Sequence, residues 1–161
     1  MNESPPFTLR RAVAADAPAV KAVQEAAVRD GAVGFYEPES IEVWVGAFSL
    51  ENFPKRVEEL SYWVAELPDG RLGGYLSMKI ETAEVESVYT APWARGIGLG
   101  KYLLERCEEI AREAGIGHVW LDASLNAVSF YERFGWREVR RHARVRQGVE
   151  IPVVLMEKTL V

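Results

Sequence analysis

The chain contains a single cysteine, Cys107, in 161 residues. No intrachain disulfide can form, so the fold must rest on its own core, and a reducing, cytoplasmic compartment is the expectation. Basic residues are in deficit: 19 Lys and Arg against 24 Asp and Glu leave a net charge of −5. That balance argues against a nucleic-acid partner gripped by a broad basic face, while an acidic surface still attracts amines. No apolar run approaches the ~18 residues of a membrane span, so no membrane partner is expected. The opening Met1-Asn2-Glu3-Ser4-Pro5-Pro6 has neither a basic cluster nor an apolar stretch, and the expectation is no secretory leader. No metal is expected.

Apolar residues make up 48% of the chain and charged residues 27%, ordinary for a globular protein and sufficient for one domain over 1–161 with its core in about 7–160. Cys107 falls in the stripe Leu99, Leu103, Cys107, Ile110, Ala114, which has helical spacing. It reads as a small core hydrophobe rather than an exposed, activated thiol.

Along the chain, residues 7–13 read as a strand, followed by a helix to about Arg29 with Asp16 as its cap and Pro18 in its first turn. Residues 39–47 look helical, and Ser49 or Asn52 can cap a further helix to Leu60. The stretch 31–60 is crowded with aromatics: Phe35, Tyr36, Trp44, Phe48 and Phe53. They either pack the core or line a small-molecule pocket. Residues 62–66 and 72–80, joined at Pro68-Asp69-Gly70, predict a hairpin, and 85–90 a third strand stopped by Pro92. A helix over 99–114 ends at Gly115 and Gly117. A strand at 119–123, a helix over 126–134 closed by Gly135, and strands at 136–146 and 151–160 complete the series. A meander, then strand–helix–strand–helix, then a closing hairpin predict a single α/β (α+β) domain on one central mixed sheet.

The segment Val88-Tyr89-Thr90-Ala91-Pro92-Trp93-Ala94-Arg95-Gly96-Ile97-Gly98-Leu99-Gly100-Lys101 is a strand, a tight loop and a helix start. Glycines at 96, 98 and 100 remove Cβ atoms where backbone must approach a ligand, and the helix start offers free N–H groups to a phosphate. Arg95 and Lys101 add positive charge. A dinucleotide fold requires G-x-G-x-x-G, whereas Gly96 to Gly100 runs G-x-G-x-G. A nucleotide P-loop requires Ser or Thr after Gly-Lys, and Tyr102 stands there.

The loop resembles the pyrophosphate-binding motif of the GNAT acetyltransferase superfamily, Arg/Gln-x-x-Gly-x-Gly/Ala, as Arg95-x-x-Gly98-x-Gly100. A second element, Asn126-Ala127-Val128-Ser129-Phe130-Tyr131-Glu132-Arg133-Phe134-Gly135-Trp136, is similar to that family's Phe/Leu-Tyr-Glu-x-x-Gly-Phe signature. With the matching element order, the resemblance spans nearly the whole chain, 7–160. It implies a strongly twisted mixed sheet flanked by helices and splayed between strands 85–90 and 119–123. Acetyl-CoA, the acetyl-donor co-substrate, is then expected in the splay. The pantetheine arm would lie along Val88, Tyr89 and Thr90, with its diphosphate on the loop Arg95, Gly96, Ile97, Gly98, Leu99, Gly100 and Lys101. Relatives often place an asparagine seven residues before the tyrosine. Here Ser124 holds that position, and Asn126 takes over as the expected contact.

The same resemblance implies transfer of an acetyl group to a primary amine, on a small molecule or a peptide, with Tyr131 as general acid to the departing thiolate. The oxyanion donor would be a backbone amide of strand 85–90, that of Val88. A base must offset the ~4–5 kcal/mol needed to free an alkylammonium, pKa ~10.4, of its proton at neutral pH. Glu86, ahead of Glu84, is the expected base, with Asp122 next. Both glutamates share a face with Val88 in a regular strand, and a bulge there reverses that parity. His118 and His142 match no family position. The acceptor pocket is implied to form from residues 31–60 and the hairpin near Gln147-Gly148. A non-catalytic acyl-CoA sensor is the alternative reading, a nicotinamide-dependent oxidoreductase a weaker one, and a homodimer is left open.

Overall fold

The computed structural model describes residues 4–161; Met1 to Glu3, half of the stretch read above as no leader, lie outside them. Seven strands form one sheet: β1 (Thr8–Arg11), β2 (Ser61–Glu66), β3 (Leu72–Lys79), β4 (Glu84–Thr90), β5 (His118–Ser124), β6 (Arg137–Arg146) and β7 (Val149–Thr159). Their order is β1-β2-β3-β4-β5-β7-β6, and every neighbouring pair is antiparallel except β4 with β5. The expected mixed sheet is therefore present.

Five α-helices cover it: α1 (Ala17–Gly31), α2 (Pro38–Gly46), α3 (Phe53–Glu59), α4 (Leu99–Glu113) and α5 (Val128–Arg133). Strand alternation divides the core between two faces. On β2, Tyr62 and Val64 pack with Val20 and Val23 of α1 and Phe53 of α3. Ala65, with Leu76 and Met78 of β3, packs instead with Leu99, Leu103 and Cys107 of α4 and with Val128 of α5. Cys107 is fully buried, as its place in the stripe predicts, and burial pushes its thiol pKa up, away from reactivity. No helix among the described residues is long and apolar enough to cross a membrane.

Several local expectations are corrected. The first strand is shorter than 7–13, because after Ala12 the chain turns into a 3-10 segment, Ala14–Asp16. Asp16 stands at the N-cap of α1 as expected, but its side chain makes no bond to the helix amides. Its carboxylate accepts from the Val13 amide at 2.8 Å and from both terminal nitrogens of Arg10 at 2.9 Å, fixing the entry to the helix from β1. Ser49 Oγ accepts the Asn52 amide one turn before α3, while the Asn52 side chain makes no cap bond. The helix expected over 126–134 is a 3-10 turn, Leu125–Ala127, followed by the six-residue α5.

Because Arg10 outweighs the burial of Asp16, the folded pKa of Asp16 lies below its ordinary 3.8. The bridge therefore stabilises the fold above pH ~4, and its contribution disappears as pH falls through the folded value. Asp16→Asn should cost about 1–2 kcal/mol at pH 7, allowing for the exposure of Arg10. Urea unfolding at pH 7 and pH 2.5 checks this: the deficit of the variant should shrink at the lower pH.

Candidate active site

The site originates in a failure of strand pairing. β4 and β5 share one parallel pair, Glu84 with Trp120, and then diverge. On its other edge β4 stays bound to β3 through Thr90. Beyond Glu84, the backbone groups of β4 that face β5 therefore lack a ladder partner, an arrangement that calls for a ligand with amide groups of its own. The β3–β4 register also slips: Ser77 opposes Ser87, but Met78 opposes Val85, so Glu86 is the extra residue of a bulge.

Two cavities meet at the splay. The first, about 560 Å³, is a cleft walled by residues 86–90 of β4, the start of α4, and Ala123, Asn126 and Tyr131. At its glycine-rich end Gly96 and Gly98 both take positive φ, +79° and +76°, and Gly98 is the residue that opens α4. A Cβ at either would point into open space, with no protein atom within 4 Å. The loop thus leaves room beside its backbone at the wall of the cleft, which suits a phosphate at a helix start. Ile97 lies outside the wall of the cleft, 36% exposed. The expected cations are not free: Arg95 pairs with Asp30 of α1, and Lys101 lies 3.8 Å from Glu105. Arg133 of α5, which the sequence reading passed over, also borders the cleft.

Asn126 lines the cleft with its Oδ1 buried and unpartnered, leaving a carbonyl acceptor for a ligand N–H. Tyr131 lies beyond it, 7% exposed, its ring edge-on to Phe130 and Trp136. Burial raises its pKa, so the phenol stays protonated at neutral pH. Its hydroxyl has no hydrogen-bond partner among the described residues.

The second cavity, about 370 Å³, lies on the other side of the bulge. It is roofed by Trp44, Phe48 and Phe53, with Tyr62 and Tyr75 of the sheet beneath. The aromatics of 31–60 therefore divide between the two expected roles: Phe53 is buried in the core yet borders this cavity, and exposed Phe35 does neither. Tyr36 ties the region down, donating to the Pro152 carbonyl at 2.6 Å and accepting the Leu125 amide at 2.9 Å. Tyr89 faces both cavities, and its hydroxyl accepts from Trp44 Nε1 at 3.1 Å. Burial lifts its pKa to about 12.

Three carboxylates reach this cavity. Glu86, at the bulge, faces both cavities and pairs with Arg56 of α3. Glu84 borders only the aromatic cavity, and its pKa is raised by burial and by the charge of Glu86, against the pull of Arg144. Asp122 is held at 2.7 Å by His142 Nε2 and at 2.9 and 2.7 Å by Arg144. Burial pushes its pKa up, but those bonds outweigh it and the net shift is downward. His118 lies elsewhere, exposed and 2.9 Å from Glu157. Arg56, Arg144 and Gln24 were not singled out from the sequence. The signal for Arg144 was there: His142, Arg144 and Arg146 alternate along β6, so they share one face.

Comparison with known proteins gives this architecture a family. A profile described as Acetyltransferase (GNAT) domain matches residues 32–160, and the chain belongs to the GNAT acetyltransferases, a family of acyltransferases. It is 36% identical over 87 residues to glucosamine 6-phosphate N-acetyltransferase of Trypanosoma brucei brucei, covering 48% of this chain and 59% of that one. The chain spans 49–59% of the length of the curated relatives it matches. A GCN5-related N-acetyltransferase structure from Rhodopseudomonas palustris superposes with a TM-score of 0.90 at 26% identity, covering 99% of each chain. PaiA N-acetyltransferase of Thermoplasma acidophilum, solved with coenzyme A, superposes with a TM-score of 0.78 at 23% identity over 95% of this chain and 98% of that one.

The positive φ of Gly98 adds a stability term to any substitution there. Gly98→Val should lower the unfolding temperature, because a β-branched residue is strained in that region. Gly98→Asn tolerates the backbone and adds only side-chain bulk. Both should weaken acetyl-CoA binding about tenfold or more by calorimetry. Undiminished affinity in a folded Gly98→Asn protein would remove the loop from the binding site.

Proposed function

We propose that this chain is an acetyl-CoA-dependent N-acetyltransferase that moves an acetyl group directly to a primary amine, with Tyr131 as general acid. The observation that carries the reading is the meeting of two cavities at the Glu86 bulge. One has a phosphate cradle and unpaired strand backbone, and the other has aromatic walls and carboxylates. The family membership and the coenzyme A held by the Thermoplasma neighbour support the donor. The amine sugar in the name of the trypanosomal relative supports the acceptor class.

In this reading the amides of 96–101 hold the diphosphate, and the free edge of β4 at Val88, Tyr89 and Thr90 pairs with the pantetheine amides, helped by Asn126 Oδ1. The bound donor supplies an electrophilic thioester at the junction. The Val88 amide stabilises the negative charge that develops on its carbonyl oxygen. Glu86 and Asp122 both touch the two cavities, and Glu86, with one basic partner where Asp122 has two, is the one positioned to take the proton of the attacking amine. Glu84, two residues earlier on the strand, has its pKa raised by burial and by the neighbouring charge of Glu86. Tyr131 delivers its proton to the leaving sulfur, and its raised pKa keeps that proton in place beforehand. The protons balance: the ammonium gives one to the carboxylate before attack, Tyr131 gives one to the departing sulfur, and the second proton left on the acylated nitrogen returns to the phenolate.

Tyr131→Phe keeps the ring packed against Trp136 and removes only the hydroxyl. It should lower kcat roughly 10²-fold while leaving acetyl-CoA affinity intact. A tyrosine that merely packs would leave kcat unchanged. Glu86→Gln should flatten the acid limb of the pH–rate profile, where the rate rises as the carboxylate loses its proton. If Glu84→Gln flattens it instead, the limb should lie above the ordinary glutamate value of 4.5, in keeping with the raised pKa of Glu84.

A further inference from the structure

The charges around the aromatic cavity bear on what it accepts. Glu84, Glu86 and Asp122 line it together with Arg56, Arg144 and Arg146. Five of these six are already engaged: Arg56 pairs with Glu86, and Arg144 pairs with Asp122 at 2.7 Å and Glu84 at 3.6 Å. Arg146 alone has no ion-pair or hydrogen-bond partner among the described residues. It lines the same cavity as Tyr89, Glu84 and Glu86. A second polar group in the same wall is incomplete. Gln24 is 5% exposed and donates Nε2 to the Trp44 carbonyl at 3.1 Å, leaving Oε1 buried without a partner.

We propose that the acceptor is a zwitterion of amino-acid size, a primary amine bearing an anionic group, with the anion held by Arg146 and the amine turned toward Glu86 and Gln24 Oε1. The inference rests on the acetyltransferase reading for the meaning of "acceptor", but not for the binding itself. Three carboxylates face the two arginines that pair with them, because Arg144 is shared by Asp122 and Glu84, so an ammonium meets a surplus of negative charge. An alkylammonium with no anion would still leave Arg146, in the same wall, without a partner. An anion with no amine would satisfy Arg146 and leave Gln24 Oε1 without a donor. A zwitterion does both. The volume of about 370 Å³ is at the small end of ligand sites. Walls of Trp44, Phe48 and Tyr62 favour an apolar substituent between the two charges. Carboxylate and phosphonate share the required chemistry, and Arg accepts either in a two-pronged contact.

Ligand-observed NMR on the protein without cofactor tests the binding directly. The probes are leucine, methionine and phenylalanine, their amides, their decarboxylated amines, and the aminophosphonates that replace the carboxylate. The zwitterions should bind about tenfold or more tighter than the amides and plain amines, in line with a charge-assisted contact. Carboxylate against phosphonate then identifies the anion. Arg146→Ala should erase the preference, and Arg146→Lys should restore part of it. Neither variant should shift the unfolding midpoint, because the side chain is exposed. In turnover, Arg146→Ala should raise KM for the zwitterion and leave kcat nearly unchanged. Amides or plain amines binding as well as the zwitterions, no zwitterion binding at all, or an unchanged preference in Arg146→Ala would each overturn the proposal. Acetyl-CoA calorimetry on the same samples tests the transferase reading separately. A protein that binds the zwitterions but not acetyl-CoA would sink that reading and leave the cavity assignment standing.

Discussion

β4 and β5 separate after one bridging pair, and both cavities follow from that separation. Buried backbone N–H and C=O groups are costly to leave unmade, so a sheet tolerates such an opening only where a ligand or water completes it. Here the opening is held from its two ends. Below, Trp120 bonds Ala83 and Thr82 through its backbone and ring nitrogens, closing the vertex at 3.2 and 2.8 Å. Above, Tyr36 links the segment after α1 to β7 and to the turn after β5. Neither tie crosses the gap itself. The strands are thus kept apart by packing on their outer edges, β3 beside β4 and β7 beside β5.

The bulge at Glu86 decides which side chains see which cavity. In a regular strand, residues 84, 86, 88 and 90 would share one face. With one residue inserted, Glu84 lines the aromatic cavity while Val88 and Thr90 line the loop-side cleft. Glu86 stands at the change of parity and touches both. A single irregularity in the ladder therefore separates the positions that open onto the loop-side cleft from the carboxylate Glu84 in the aromatic cavity.

The two halves of the site differ in how legible they were. The loop-side half is built mainly from one continuous segment, 86–101, with Asn126 and Tyr131 from another. Its requirements are backbone requirements, and glycine at 96 and 98 is their direct mark in the sequence. The aromatic cavity draws on α1, α2, α3, β4, β5, β6 and β7. Arg56, Gln24 and Arg144 are separated by dozens of residues, and nothing local in the chain reveals that they converge. Element identities were read from periodicity, and Asp16 stands at the N-cap as read, but its carboxylate is engaged by Arg10 and Val13 rather than by the helix amides. Propensity describes a residue's own turn, and tertiary pairing overrode it there. The pairing of Arg95 with Asp30 was hidden for the same reason: charge near a phosphate loop suggests a phosphate contact until the facing helix is placed.

That difference in construction bears on how such a site changes over time. The loop-side half depends on φ values and on backbone left unpaired, and few substitutions preserve both. The aromatic half depends on side chains carried by separate elements, each of which can be exchanged without moving the strands. All but one of its charges are arranged in pairs, and this matters in a small enclosure with aromatic walls. A lone buried charge would shift its pKa or destabilise the fold, while a pair can be held until a ligand of matching charges replaces one partner. Asp122 illustrates the structural extreme of that arrangement. Held by both His142 and Arg144, it is fixed as an anion and ties β6 to β5, whereas each carboxylate of β4 has a single basic partner.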